Sequence, residues 1–506
     1  VLLVYTNDLA AGKAAEDARQ LLGDASACLT GGEIDLTRGA SSHESSWRRL
    51  EALQHAQNGD VKLLCTSIDA LMQRMADPRL FREATVHLVP GDRFDLSDLV
   101  RRLIVMGYER VEMVEGKGQC AVRGSILDVY PPSAQSGLRI EFFDDEVDSV
   151  RTFDCISQRS QDKLKECVLP PATETLLTEG EMKQGAERMR RALGEAGGAE
   201  NADALLFDDL PPLPEDDEEL PSFFDSSVAP KVQAQTRTLE MERRLNQIRQ
   251  EAELLENGVP FKRIRAWLPV LTDTTYTLTD WYDADDVFLV QPDQLRERNE
   301  ERLNGFAEEL HSAMERGEAV GAQEKLLTDY EEVVRGLQGR GVALVSAMLR
   351  SMGGFKPEVM VPMNVTGIAG YSSQIKLLAE DCRKWREAGY CVLLLSGGVA
   401  RGKRLTQALC ELEMPATFCE ETLNNLILGE TLVLPLTLSH GFVWPEAKLV
   451  LVSDTDLYGT GYRKTKSRRN SGERIASFTD LKVGDYVVHE DHGVGVYQGT
   501  VRLQSE

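Results

Sequence analysis

What this chain lacks narrows it first. It has no surplus of positive charge: 82 acidic side chains stand against 57 basic ones, a formal net charge of −25. A protein whose main task is gripping a phosphate backbone wants a basic surface, so general nucleic-acid binding by this chain alone is disfavoured and protein partners are favoured. Its nine cysteines form no Cys-x-x-Cys pair, which argues against a zinc knuckle and a disulfide framework and fits a reducing cytoplasm. No apolar run nears the roughly twenty residues needed to span a bilayer, and no basic segment with an apolar core opens the chain. A soluble, untargeted, cytoplasmic protein is expected, with no membrane partner. Val1 is not a methionine and Val1 to Thr6 reads as a buried strand, so the chain is expected to start inside a domain and to be a fragment. At 506 residues it should hold three or four domains.

The most informative stretch present is Arg123-Gly-Ser-Ile-Leu-Asp-Val-Tyr-Pro-Pro followed by Leu138-Arg-Ile-Glu-Phe-Phe-Asp-Asp-Glu-Val. If Leu138 to Phe143 is one strand, Leu138, Ile140 and Phe142 face one way and Arg139, Glu141 and Phe143 the other. An aromatic among charged neighbours on a solvated face has the composition of a protein-binding hot spot. The plainer alternative is a strand buried on both faces. Asp144-Asp145-Glu146 reads as a hairpin turn, not as a catalytic pair of carboxylates.

Along the chain, Leu2 to Tyr5, Val61 to Cys65 and Val86 to Val89 are apolar strands alternating with helical patterns such as Ala14 to Leu22, the signature of a parallel α/β sheet. From about residue 91 the pattern becomes β-rich. Between Glu200 and Leu220 stand nine acidic residues and no basic one, with three prolines, which reads as a solvated linker or insertion; an acidic mimic of DNA or a lock for a basic patch is the alternative. Met241, Leu245, Ile248, Ala252 and Leu255 then mark a long amphipathic helix ending at Asn257-Gly258. Its polar face carries Arg243, Arg244 and Arg249 mixed with acids, and no nucleic-acid site is read there. A helix with Ile375, Leu378, Cys382 and Trp385 on one face precedes the strand Cys391 to Leu395. Near the end, Gly484-Asp485 opens a strand over Tyr486 to His489, and Glu490 to Gly493 turns the chain into Val494 to Tyr497.

Three motifs invite chemistry. Gly397-Gly-Val-Ala-Arg-Gly402-Lys403-Arg404 has the spacing of a phosphate loop after an apolar strand. Arg404 stands where a Ser or Thr hydroxyl would bind Mg²⁺, so the expected state is a glycine-rich turn with exposed Arg401, Lys403 and Arg404, and at most a weak phosphate site at Gly402 and Lys403. His489-Glu-Asp-His492 has a ligand-like spacing, but on a hairpin its imidazoles need not converge, and no metal is expected. No Ser-His-Asp signature appears, so no catalytic residue is assigned.

Gly107-Tyr-Glu-Arg110, the run from Arg123 to Pro131, Arg139 to Glu146, and Arg151-Thr-Phe-Asp leading to Ser157-Gln-Arg-Ser together resemble the UvrA-binding domain shared by UvrB and the bacterial transcription-repair coupling factors. Ala266-Trp-Leu-Pro to Pro292 resembles the return of the UvrB-like module to its first sheet after that inserted domain. His440-Gly-Phe, Lys448-Leu-Val-Leu-Val and Asp456-Leu-Tyr-Gly resemble the third domain of the coupling factors, and Leu481 to Gly499 resembles the first strands of their CarD-like RNA polymerase interaction domain.

The resemblance implies a multidomain α/β chain. A vestigial RecA/UvrB-like parallel sheet (1–91 and 231–345) carries an inserted β-rich UvrA-binding domain (92–175) and an acidic linker or insertion (176–230). A second α/β domain (346–460), a basic linker (461–475) and the start of a small β-barrel (476–506) follow. In the UvrB-like module the strand Val287-Phe-Leu-Val ends in Gln291-Pro292, where UvrB proteins carry an acidic pair, and neither can ligate Mg²⁺ or act as a base. The phosphate loop of that module would precede Val1. By position the resemblance assigns Arg123, Arg139 and Phe143 to UvrA binding and Leu503 to RNA polymerase binding. It implies no cofactor in this chain, and ATP, Mg²⁺ and double-stranded DNA only for a translocase motor lying C-terminal to Glu506. UvrB itself, and a non-enzymatic CarD-type regulator, are the alternatives.

Overall fold

The computed structural model describes residues 1–36, 43–197, 244–348, 355–420, 427–459, 486–489 and 493–496. It falls into two compact units that divide between Pro362 and Met363.

The first unit starts with β1 (Leu2–Tyr5), β2 (Ser26–Leu29) and β3 (Leu63–Ser67). The third strand begins two residues later than its apolar run suggests. Between β1 and β2 the chain makes the helix Asp8–Leu22, whose N-cap Asn7 accepts from the Ala10 N–H, satisfying one of the amides that a helix start leaves without a partner. After the inserted domain, which holds β4 to β11, the chain returns as β12 (Asp286–Val290) and β13 (Gly341–Val345). The strand order is β13-β12-β1-β3-β2, all parallel. A strand arriving from beyond residue 285 thus pairs with the first strand of the chain. Parallel strands covered on both faces demand continuous apolar runs, and Leu2, Val4, Leu29, Leu64, Val287 and Leu289 are buried accordingly.

The inserted domain corrects one expectation. Val86 to Val89 does not continue the parallel sheet. It forms β4 (Val86–Leu88), which pairs antiparallel with β11 (Cys167–Leu169), so the chain enters and leaves the insertion through one two-stranded ribbon. An apolar run announces a strand but carries nothing about its partner. Inside the ribbon lie β5 (Glu109–Arg110), β6 (Gln119–Arg123), β7 (Ile126–Val129), β8 (Gly137–Phe143), β9 (Glu146–Phe153) and β10 (Ser160–Leu164) in the order β10-β9-β8-β7-β6-β5. All neighbours are antiparallel except β5 and β6. The helix Leu96–Val105 contributes Leu99, Val100 and Leu103 to a core with Leu127, Ile140 and Phe142 from the sheet.

A second correction concerns 176–197. The expected linker or insertion begins with the helix Glu179–Gly197, which is packed and not a solvated linker. Its buried Met182, Ala186 and Met189 meet Ile248, Ala252 and Leu255 of the helix over 244–256, together with Trp267. The spacing of those three side chains is helical, but the acidic run that follows masks it. The run itself lies outside the described residues, as do Met241 and Arg243. Gly258, at φ +76°, ends the second helix as expected.

The second unit has a six-stranded sheet made of β14 (Thr366–Gly367), β15 (Cys391–Leu395), β16 (Thr417–Phe418), β17 (Thr431–Leu434), β18 (Phe442–Trp444) and β19 (Leu449–Val452), ordered β14-β18-β19-β15-β17-β16. Its central strand β15 is buried at all five positions, between the helices Ile375–Glu387 and Val399–Glu411 and a second apolar layer. Finally β20 (Tyr486–His489) and β21 (Gly493–Val496) pair antiparallel, with His489 opposite Gly493. The hairpin is therefore present, while Glu490 to His492 and Leu503 lie outside the described residues. Among the described residues no cluster of metal-ligating side chains occurs, and no helix is long and apolar enough to cross a membrane.

Candidate docking face

The two faces of the inserted sheet differ in kind. One is the core against the helix Leu96–Val105. On the other, directly opposed residues line up in rows, because cross-strand partners share a face. One row runs Ala121, Asp128, Arg139, Arg151, Lys163 across five strands. The next holds Ile126, Glu141 and Ser149, with Arg123 opposite Ile126. Phe143 stands beyond them where β8 ends, at a two-residue turn that Asp144 takes with φ +57°. The turn predicted at Asp144-Asp145-Glu146 is present, and the strand is not buried on both faces.

The three residues assigned to UvrA binding have different circumstances here. Phe143 is 80% exposed, an aromatic ring held on a rigid strand end. Arg123 is exposed as well, and donates to the Glu112 carbonyl at 3.4 Å. Arg139 is not free. Its Nε and Nη2 donate to the two carboxylate oxygens of Asp128 at 2.7 and 2.9 Å, and its Nη1 donates to the Gln158 carbonyl and the Ser160 Oγ at 3.2 and 3.1 Å. Its guanidinium lies 4.9 Å from the centre of the Phe153 ring. The Asp128 side chain is 2% exposed. The hydrogen bonds to Asp128 hold the Arg139 guanidinium above its ordinary pKa. Gly137 is required beneath it, since a Cβ there would stand 2.3 Å from the Phe153 ring.

Sequence alternation put Arg139 and Phe143 on one face but missed Asp128, Arg151 and Lys163. Asp128 was legible as a charge inside the apolar run Ile126-Leu-Asp-Val; the other two required the register of β9 and β10, which shifts at a bulge between Ser160 and Lys163.

The inserted domain is tied to its base by ion pairs where it ends. Glu174 receives Arg49 at 2.8 Å and Arg265 at 2.8 Å, and Arg49 also donates to the Thr30 carbonyl. Burial alone would raise the Glu174 carboxyl, but the charges of Arg265 and Arg49 bring it below its ordinary value. Burial pushes Arg265 down to about 10.

The phosphate-loop spacing does not make a phosphate loop. The helix starts at Val399, so Gly402 already lies in its first turns and its N–H donates to the Gly398 carbonyl at 2.9 Å. A cradle needs that amide turned outward; the weak site expected at Gly402 and Lys403 is corrected on this ground. Gly402 serves packing instead, since a Cβ would sit 2.3 Å from the Phe418 ring. Lys403 lies 5.7 Å from the centre of that ring and 3.9 Å from Glu420. After β12, Gln291 takes the left-handed conformation at φ +55° and Pro292 starts a helix, so neither of the two positions that follow the strand carries a carboxylate.

Comparison with known proteins agrees with this organisation. The UvrB interaction domain model matches residues 86–174, the segment bounded by β4 and Glu174, and the CarD-like/TRCF RID domain model matches 481–506. Similar proteins include the transcription-repair-coupling factors of Bacillus subtilis (24% identical, covering 100% of this chain and 40% of that protein) and of Myxococcus xanthus (27%, 90% and 36%). That of Staphylococcus aureus strain bovine RF122 / ET3-1 is 23% identical, with 90% of this chain and 36% of that protein covered. The chain thus spans about two fifths of the length of the curated relatives it matches. It is similar in sequence to the transcription-repair-coupling factors over 90–100% of its length, and segments of it match the UvrB interaction domain and the CarD-like/TRCF RID domain, as the motifs at 107–160 and 481–499 implied.

Proposed function

We propose that this chain is the recruiting part of a transcription-coupled repair factor. It docks UvrA through the inserted domain and engages RNA polymerase through residues 481–506, Leu503 among them. In the family that the resemblance names, an ATP-driven double-stranded DNA translocase displaces the stalled polymerase; that motor, with its ATP and Mg²⁺, belongs to the part of the protein outside this chain. The first sheet is then a nucleotide-binding fold that has lost its chemistry, a reading supported by Gln291 and Pro292 after β12.

One observation carries the UvrA assignment: within the segment matched by the UvrB interaction domain, Phe143 is 80% exposed at a strand end, and Arg123 on the same face of the sheet is exposed too. Burying such a ring rewards a partner, and rigid aromatics lose little entropy on docking. Phe143 and Arg123 are the contacts, and Arg139, held by Asp128, Gln158 and Ser160, braces the same face of the sheet. Titration of the chain with purified UvrA should give an affinity that Phe143→Ala lowers by about 2 kcal/mol, roughly thirtyfold. Undiminished binding by a folded Phe143→Ala chain would remove the assignment.

A further inference from the structure

The docking face carries more positive charge than its own architecture uses. In the row across β7 to β10, Asp128 neutralises Arg139, but Arg139 stands directly opposite Arg151, and Arg151 directly opposite Lys163. Like charges facing each other across strands destabilise a sheet. Glu141, the nearest carboxylate of the neighbouring row, accepts from the Ser149 hydroxyl at 2.8 Å. Among the described residues neither Arg151 nor Lys163 has an ion-pair partner, and the half-buried Arg151 keeps its Nε out of water with no hydrogen-bond acceptor. A chain of net charge −25 has acids in plenty, yet the two on this face, Asp128 and Glu141, are engaged by Arg139 and Ser149 and neither pairs with Arg151 or Lys163.

We propose that Arg151 and Lys163 are a receptor for carboxylates on the docked partner, extending the UvrA contact from Phe143 across the sheet to its outer strand β10. This rests on the UvrA assignment above and adds to it the chemistry of the partner: an acidic segment lying along the Arg139-Arg151-Lys163 row. An acidic protein surface suits the face better than a nucleic acid does, because exposed Phe143 flanks the row at one side. At the other stands Ile156, 88% exposed in the turn whose Gln158 carbonyl accepts from Arg139. Apolar flanks reward a protein surface and offer nothing to a phosphate backbone. A partner's carboxylate would give half-buried Arg151 and exposed Lys163 the counter-charge that the described residues do not supply, in a partly desolvated setting where such a bond is strong.

The test is a titration of the whole chain with purified UvrA at several salt concentrations, comparing wild type, Arg151→Gln, Lys163→Glu and Phe143→Ala, each with a thermal melt. Arg151→Gln and Lys163→Glu should each weaken binding about tenfold and flatten its salt dependence, while the melting temperature stays or rises because a like-charge contact is relieved. A residue with a merely structural role would lower the melting temperature together with binding, and that outcome overturns the proposal. So does unchanged binding in both variants. So does duplex DNA that binds the wild-type chain and is lost in the same variants, which would make the row a phosphate site. If Phe143→Ala weakens UvrA binding while the two charge variants do not, only this inference fails; if all three bind like wild type, the docking face itself is misassigned.

Discussion

Removing Arg139 should break the inserted domain from within before it removes any contact with a partner. The side chain is 13% exposed and its partner Asp128 2%, so Arg139→Ala leaves a carboxylate in the sheet with both oxygens deprived of their donors. The change also cuts the bonds that hold the turn at Gln158 and Ser160 and strips the cation from over Phe153. Deleting one member of a buried, hydrogen-bonded ion pair costs about 3–5 kcal/mol. Replacing both members by apolar residues of similar size, as in Asp128→Leu with Arg139→Met, should cost far less than either deletion, because no charge is left stranded. Hydrogen exchange on the whole chain reads this locally. Amides of β7 and β8 that exchange by opening of the inserted domain should accelerate roughly a hundredfold or more in Arg139→Ala, while those of Cys391–Leu395 in the other unit hold their rates. Unchanged protection of β7 and β8 would refute the structural role of the pair. Accelerated exchange would mean that lost UvrA binding in Arg139→Ala reports an opened sheet, and that Phe143→Ala is the cleaner probe of contact.

Two further outcomes follow from buried contacts elsewhere. The Glu174 carboxyl sits below its ordinary value of 4.5, so its contribution is fully present above that value and disappears as pH falls through the lower folded value; acid should loosen the base of the inserted domain, and Glu174→Gln should abolish that part of the pH dependence, as read by the hydrogen exchange of β4 and β11. In the second unit Gly402→Ala forces a Cβ to 2.3 Å from the Phe418 ring and 2.9 Å from the Ser396 Oγ, and overpacking of this kind costs about 1–3 kcal/mol. Its thermal melt should shift down while that of Lys403→Ala stays in place, and the opposite ranking would restore a site-bearing role to Lys403.

How much was legible can be followed residue by residue. Alternation placed Arg139 and Phe143 on one face of β8 because side chains in a strand switch sides at every residue, a property of local backbone geometry. Helical spacing found Ile248, Ala252 and Leu255 for the same reason. The phosphate-loop spacing misled at Gly402 because a pattern of glycine and lysine is blind to where a helix begins, and here it begins at Val399, three residues too early for the amide to turn outward. The helix at Glu179 was overlooked because composition averaged its packing face into the acidic run behind it.

Sequence by itself determined the elements with clear spacing, such as the strands Leu2–Tyr5 and Cys391–Leu395 and the helix through Ile248 and Leu255, which motifs carry the family likeness, and that Gln291 cannot replace a catalytic acid. These depend on side-chain identity and on short-range spacing, both written along the chain. Tertiary structure alone decided that Val86–Leu88 pairs with Cys167–Leu169, that Arg139 is occupied by Asp128, and that Arg151 and Lys163 stand opposite each other without an ion-pair partner among the described residues. Those facts depend on which strand lies beside which and in what register, and a single bulge in β10 is enough to bring Lys163 to Arg151. Strand partners far apart along the chain are chosen by the free energy of the whole assembled sheet, which no local pattern contains.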